Sequence, residues 1–137
     1  MSLTLTLAAM LLGEMIEHRV TVSHGGAEHA ATYRARVTLD TKTIGAHTPN
    51  RPSRQHCAWT AAITIERALD AAPQAARAVA TDRTLRGTHP GACQTARPAI
   101  AETVARRSPA VRDRLVAAVE ADRATLAAEL AALNPNG

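Results

Sequence analysis

Two stretches of this chain alternate apolar and polar residues with a period of two. That period admits little besides strands of a sheet with one buried face. From Ala31 to Ile44, Tyr33, Ala35, Val37 and Leu39 fall on one side, and Thr32, Arg34, Arg36, Thr38 and Asp40 on the other. From His56 to Glu66, Cys57, Trp59, Ala61, Ile63 and Ile65 oppose Ala58, Thr60, Ala62, Thr64 and Glu66. Successive side chains of a strand point to opposite faces, so each run predicts a strand with one wet and one buried side. Ile16 to Ser23 reads as an earlier strand, with Ile16, Val20 and Val22 sharing a face with His18. The segment His24-Gly25-Gly26-Ala27-Glu28 supplies a hairpin turn, because glycine adopts the positive φ that tight hairpins require. Gly45 to Gln55 carries two prolines, an asparagine and two arginines, and reads as a long surface loop.

Beyond Glu66 the period shifts toward 3.6. Ala68 to Thr81 is alanine-rich and predicts a helix, with Asp70 as its N-cap and Pro73 in its first turn. Thr84 to Gly87 suggests a short fourth strand, Gly87 to Pro98 reads as irregular, and Pro98 opens a helix carrying Ile100 and Val104. Ser108-Pro109 is a helix start, serine at the N-cap and proline at the first helical position. Val111, Leu115, Val119, Leu126, Leu130 and Leu133 then mark one stripe, and the acids Glu102, Asp113, Glu120, Asp122 and Glu129 read as polar helix faces. The expected fold class is α+β: an antiparallel three- to four-stranded meander sheet with C-terminal helices packed on one face. Residues 14–137 would form that single domain. Residues 1–13 read either as a signal peptide, from the short apolar run Leu3–Leu12, or as a first strand. The run is too short to span a bilayer and lacks a basic flank.

The core available to this fold is thin. Hydrophobic residues make up 46% of the chain, but 31 residues are alanine and there is no phenylalanine. A buried large side chain stabilises by roughly 1.5–3 kcal/mol and an alanine by much less. The two cysteines, Cys57 on the alternating run and Cys93 in the turn-rich segment His89-Pro90-Gly91-Ala92, therefore matter. A bond closing the segment 57–93 would add roughly 4 kcal/mol in a loop-entropy description and would imply an oxidising compartment. Reduced thiols would imply the cytoplasm instead.

Function is the least constrained quantity. A Cys2His2 metal set drawn from His56, Cys57, His89 and Cys93 is disfavoured, because His56 and Cys57 should face opposite sides of a strand. No nucleophile elbow, phosphate-binding loop or dinucleotide glycine pattern is present, so the expectation is a protein that is not an enzyme and needs no metal or cofactor. Net charge is +4, and the excess sits in the region of the sheet and its loop. Arg34, Arg36 and Lys42 on the wet side of one strand, with Arg51 and Arg54 in the loop, form the candidate surface for an acidic partner or an anionic envelope component. Nucleic acid is disfavoured, since Tyr33 and Trp59 fall on the apolar face and leave no aromatics for base stacking. The reading is a small exported, disulfide-stabilised, non-enzymatic binding or structural protein of the cell envelope, periplasmic or secreted. The rival is a cytosolic zinc- or nucleic-acid-binding protein with reduced cysteines.

Overall fold

The computed structural model describes residues 16–46, 49–50 and 54–133. The expectations for residues 1–13 and for Arg51 lie outside these. Four antiparallel strands, β1 (Ile16–His24), β2 (Ala27–Ile44), β3 (His56–Leu69) and β4 (Ala72–Pro90), form one meander sheet in the order β1-β2-β3-β4. Two helices follow, α1 (Cys93–Arg106) and α2 (Ser108–Leu133), and both pack on the same face of the sheet. The fold is α+β, as the alternation and the C-terminal stripe imply.

Register follows the apolar pattern. Ala35 opposes Ile65, Tyr33 opposes Arg67, and Leu39 opposes Ala61. The odd-numbered residues of β2 and β3 therefore share the helix-covered face, and a slip of one residue would turn that set to solvent. Buried there are Tyr33, Ala35, Trp59, Ala61, Ile63 and Ile65, met from above by Ala96 and Ile100 of α1 and by Val111, Leu115, Val119, Leu126 and Leu130 of α2. The β1–β2 hairpin turns on Gly25 (φ 61°) and Gly26 (φ 77°), the doubly left-handed geometry whose twist matches the flanking strands.

The expected helix over 68–81 is a strand. β3 runs on to Leu69, Asp70 and Ala71 make a two-residue turn, and β4 returns along the edge of β3 from Ala72. Alanine's helix propensity is a weak bias, a few tenths of a kcal/mol per residue. Without β4, the edge of β3 would leave its backbone donors and acceptors unpaired beside a buried core. Pairing wins, and three register shifts, at Ala61/Ile63, Ile65/Glu66 and Arg67/Leu69, absorb the poor fit of the segment. Asp70 serves as a turn residue rather than an N-cap, and its side chain accepts from Arg19 at 2.5 Å. Pro73 sits near the start of an edge strand, where its missing donor is tolerated.

The helix expected from Pro98 begins five residues earlier, at Cys93, and contains Pro98. The strand β4 extends to Pro90, so the irregular stretch shrinks to Gly91 (φ 96°) and Ala92. The α2 stripe holds through Leu130, but Leu133 is exposed. Asp122, expected on a polar face, occupies a buried position of the stripe.

Trp59 shows how a sequence with so few large side chains fills space. Its indole lies across the backbone of Gly87, its partner on β4, so that a Cβ at position 87 would come 2.8 Å from the ring carbon Cζ2. Arg107, between the two helices, covers the same ring with its guanidinium carbon 5.9 Å from a ring centroid. Gly87→Ala should therefore lower stability by about 1–3 kcal/mol, measured by denaturant unfolding. An unchanged midpoint would mean that the indole does not lie over Gly87.

Candidate functional site

The helix-covered face carries a buried charged cluster at one end of β3. Arg67 continues the odd-numbered row of β3 after Ile65, and its side chain is 1% exposed. It donates from Nη1 to Asp122 and from Nη2 to Glu129, both on α2. The Tyr33 hydroxyl, directly across from Arg67 on β2, donates to Asp122 at 2.7 Å. Arg77 on β4, opposite Arg67 on the other side, also donates to Glu129. Two guanidinium groups thus face two carboxylates, and the buried charge is balanced. Burial opposes the charge on Arg67, but Asp122 and Glu129 outweigh it and raise its pKa above the ordinary value. Burial, and next its bond to Asp122, push the Tyr33 phenol up to about 12.

Beside this cluster lies a depression of about 290 Å³ lined by Leu69, Ala72, Ala75, Ala132 and Leu133, with Arg67, Arg77 and Glu129 at its polar side. A second ion pair docks the other half of α2: Arg114 meets Asp82 at 3.0 Å and donates to Thr84 at 2.8 Å. Hydrogen bonds from the side chain and backbone of Thr84, followed by Arg114, hold Asp82 below the usual carboxylate range.

At the opposite end of β3, the Cys57 and Cys93 Sγ atoms are 2.10 Å apart, at bonding distance. They join the central strand to the first residue of α1. The Cys93 backbone N–H also donates to Thr43 on β2 at 3.0 Å. His56 and Cys57 lie on opposite faces, and among the described residues no group of three or more histidine, cysteine, aspartate or glutamate side chains could hold a metal ion. At the β1–β2 hairpin the rings of His24 and His29 lie 6.4 Å apart.

Among the described residues nothing packs on the other face of the sheet, and it holds three of the residues proposed from sequence as a partner surface. Arg34, Arg36 and Lys42 all lie on it and are exposed. They are not electrostatically alike. Arg34 pairs with Glu17 on β1 at 2.9 Å and Arg36 approaches Glu66 on β3 at 3.9 Å. Lys42 makes no ion pair among the described residues. Arg54 is exposed two residues before β3. Two further cations share this face. Arg83 pairs with Asp40 at 3.3 Å, and Arg86, opposite Thr60, has no ion-pair partner among the described residues. Arg83 falls outside the short strand expected over Thr84–Gly87, and Arg86 falls inside it, but four residues assign no face to either.

No protein-family model, no curated protein and no solved structure matches this chain.

Tyr33 is the chain's only tyrosine, which makes its phenol directly measurable. Below pH 10 the phenol is protonated in folded and unfolded chains alike. Between 10 and about 12 the unfolded chain has lost a proton that the folded chain keeps, so stability falls as pH rises. The slope should approach about 1.4 kcal/mol per pH unit. Tyrosinate absorbance of the folded protein should titrate near 12. A midpoint at the ordinary value would show that the phenol is not buried against Asp122.

Proposed function

We propose that this chain is an exported, non-enzymatic binding or structural protein of the cell envelope, stabilised by a bond between Cys57 and Cys93. The observation that supports the reading is that the fold brings the chain's two cysteines together, one on β3 and one opening α1, from positions 36 residues apart. Persistent disulfides belong to oxidising compartments, and reduced thiols to the cytosol. The thin, alanine-rich core gives such a bond a purpose, since α1 buries only Ala96 and Ile100 fully. The two faces divide the work. One is occupied by helices and by a charge-balanced network, and the other is free to meet a partner. An acidic partner suits that open face, whose cations outnumber its acids.

Protein recovered from its native cell and alkylated under denaturing conditions without reductant should gain no label, by intact mass. Two labels would place the thiols in a reducing compartment and overturn the proposal. Cys57→Ser and Cys93→Ser should lower the melting temperature by similar amounts, and the double variant should add little. Clearly additive losses would mean that the two sulfurs do not act as one bond.

A further inference from the structure

We propose that the end of the open sheet face nearest the 45–55 loop is a binding site for an acidic polysaccharide, with Lys42 and Arg86 as its charged contacts. This deepens the binding reading above and rests on it. The open-face residues of β3 between His56 and Glu66 are Ala58, Thr60, Ala62 and Thr64. All are small, and Ala62 is only 5% exposed because longer neighbours shelter it. On β2 the flanking row is Arg34, Arg36, Thr38, Asp40 and Lys42, and on β4 it includes Thr81, Arg83, Arg86 and Thr88. A central strand of short side chains between two rows of longer ones makes a shallow furrow. At a rise of about 3.3 Å per residue, the six steps from Ala58 to Thr64 extend it over about 20 Å, with His56 and Glu66 beyond its ends. A furrow of that length suits a linear polymer better than a small molecule.

The charge in the furrow is uneven. Arg34, Arg36 and Arg83 each face a carboxylate, from Glu17, Glu66 and Asp40. Their positive potential is largely cancelled at the surface. Lys42 and Arg86 make no ion pair among the described residues; Asp40, held by Arg83, lies across Thr60 from Arg86. Register puts Lys42 and Arg86 on opposite walls at the same end: Lys42 opposes Ala58, and Arg86 opposes Thr60. They lie two strands apart, about 10 Å across the furrow. Between and beside them stand the hydroxyls of Thr60 and Thr88, with the small Ala58 as floor.

Two cations spaced across a polar floor can hold successive anionic groups of a polymer, and the threonines offer donors and acceptors to its hydroxyls. The polymer is a glycan rather than a single-stranded nucleic acid because the face presents no tyrosine, tryptophan or phenylalanine. The chain's only tyrosine and tryptophan, Tyr33 and Trp59, are both buried on the opposite face. Stacking on such rings supplies much of single-strand affinity, and here only the His56 imidazole and the arginine planes are left for it.

The test uses the full chain and three probes: polygalacturonate as the acidic polysaccharide, dextran as a neutral one, and an oligothymidylate as the nucleic acid. Polygalacturonate should bind at low salt and dextran should not. Lys42→Ala combined with Arg86→Ala should weaken polygalacturonate binding at least tenfold, whereas Arg34→Ala with Arg36→Ala should weaken it less than twofold. All four positions are exposed, so circular dichroism melts of both variants should match the parent. Absence of polygalacturonate binding, equal losses in the two pairs, or tighter binding of the oligothymidylate would overturn the proposal. A protein whose cysteines resist alkylation but which ignores polygalacturonate would refute the glycan site and leave the export reading standing. Reduced cysteines with selective glycan binding would do the reverse.

Discussion

The structure depends on keeping one guanidinium charged inside a sheet. Arg67 occupies the same row of β3 as Trp59, Ala61, Ile63 and Ile65, where every other helix-facing side chain after Cys57 is apolar. An uncompensated charge there would cost several kcal/mol, so its donors must find acceptors that are themselves correctly placed. Asp122 and Glu129 meet that demand from one side of α2, two turns apart. Their spacing fixes both the rotation of the helix and its position along the sheet. The apolar contacts of Val111, Leu115, Val119, Leu126 and Leu130 are non-directional and specify that position less narrowly. The tyrosine hydroxyl on β2 and the second arginine on β4 complete the set, so a single cluster ties three strands to one helix.

The other helix is tied at the other end of the same strand. Cys57 and Arg67 have the same parity on β3 and are about 33 Å apart along it. The cysteine reaches the first residue of α1, and the arginine reaches the C-terminal half of α2. Between these ties the apolar residues of β3 supply the nonspecific part of the packing. The division suits the composition: where bulk hydrophobicity is scarce, a few directional or covalent links hold the register. On the far face the strands are linked instead by exposed ion pairs, Arg34–Glu17, Arg36–Glu66 and Arg83–Asp40.

Much of this was legible in the sequence, and the failures share one cause. Period two in β2 and β3, the Gly25-Gly26 turn and the α2 stripe are local patterns, and local patterns can be read. The course of β4 is not local. Its alanines favour a helix in isolation, and only the unpaired edge of β3 makes them a strand. The same blindness hid the buried cluster. Arg67 continues the odd-numbered row from Ile65, and Asp122 falls between Val119 and Leu126 in the helical stripe, so both positions carried a signal. A charged residue in an apolar register is readable as buried only when its counter-charge can be located, and Asp122 lies in a different element. On the open face, Arg34, Arg36 and Lys42 were legible as exposed cations. Which of them are neutralised depends on Glu17 and Glu66 across the sheet, and that is knowledge of register.

The central claim is that Arg67 and Asp122 act as one docking unit between sheet and helix. A double-mutant cycle measures this most directly: Arg67→Ala, Asp122→Ala and the double variant, each unfolded in denaturant. Breaking the pair from either side should cost about 3–5 kcal/mol, because Arg67→Ala leaves Asp122 with only the Tyr33 hydroxyl and Asp122→Ala leaves the buried Arg67 with Glu129 alone. The double variant should recover much of that, giving a coupling energy of about 2–3 kcal/mol. Strictly additive losses, with a coupling near zero, would contradict the account and leave apolar packing and the Arg114–Asp82 pair to position α2.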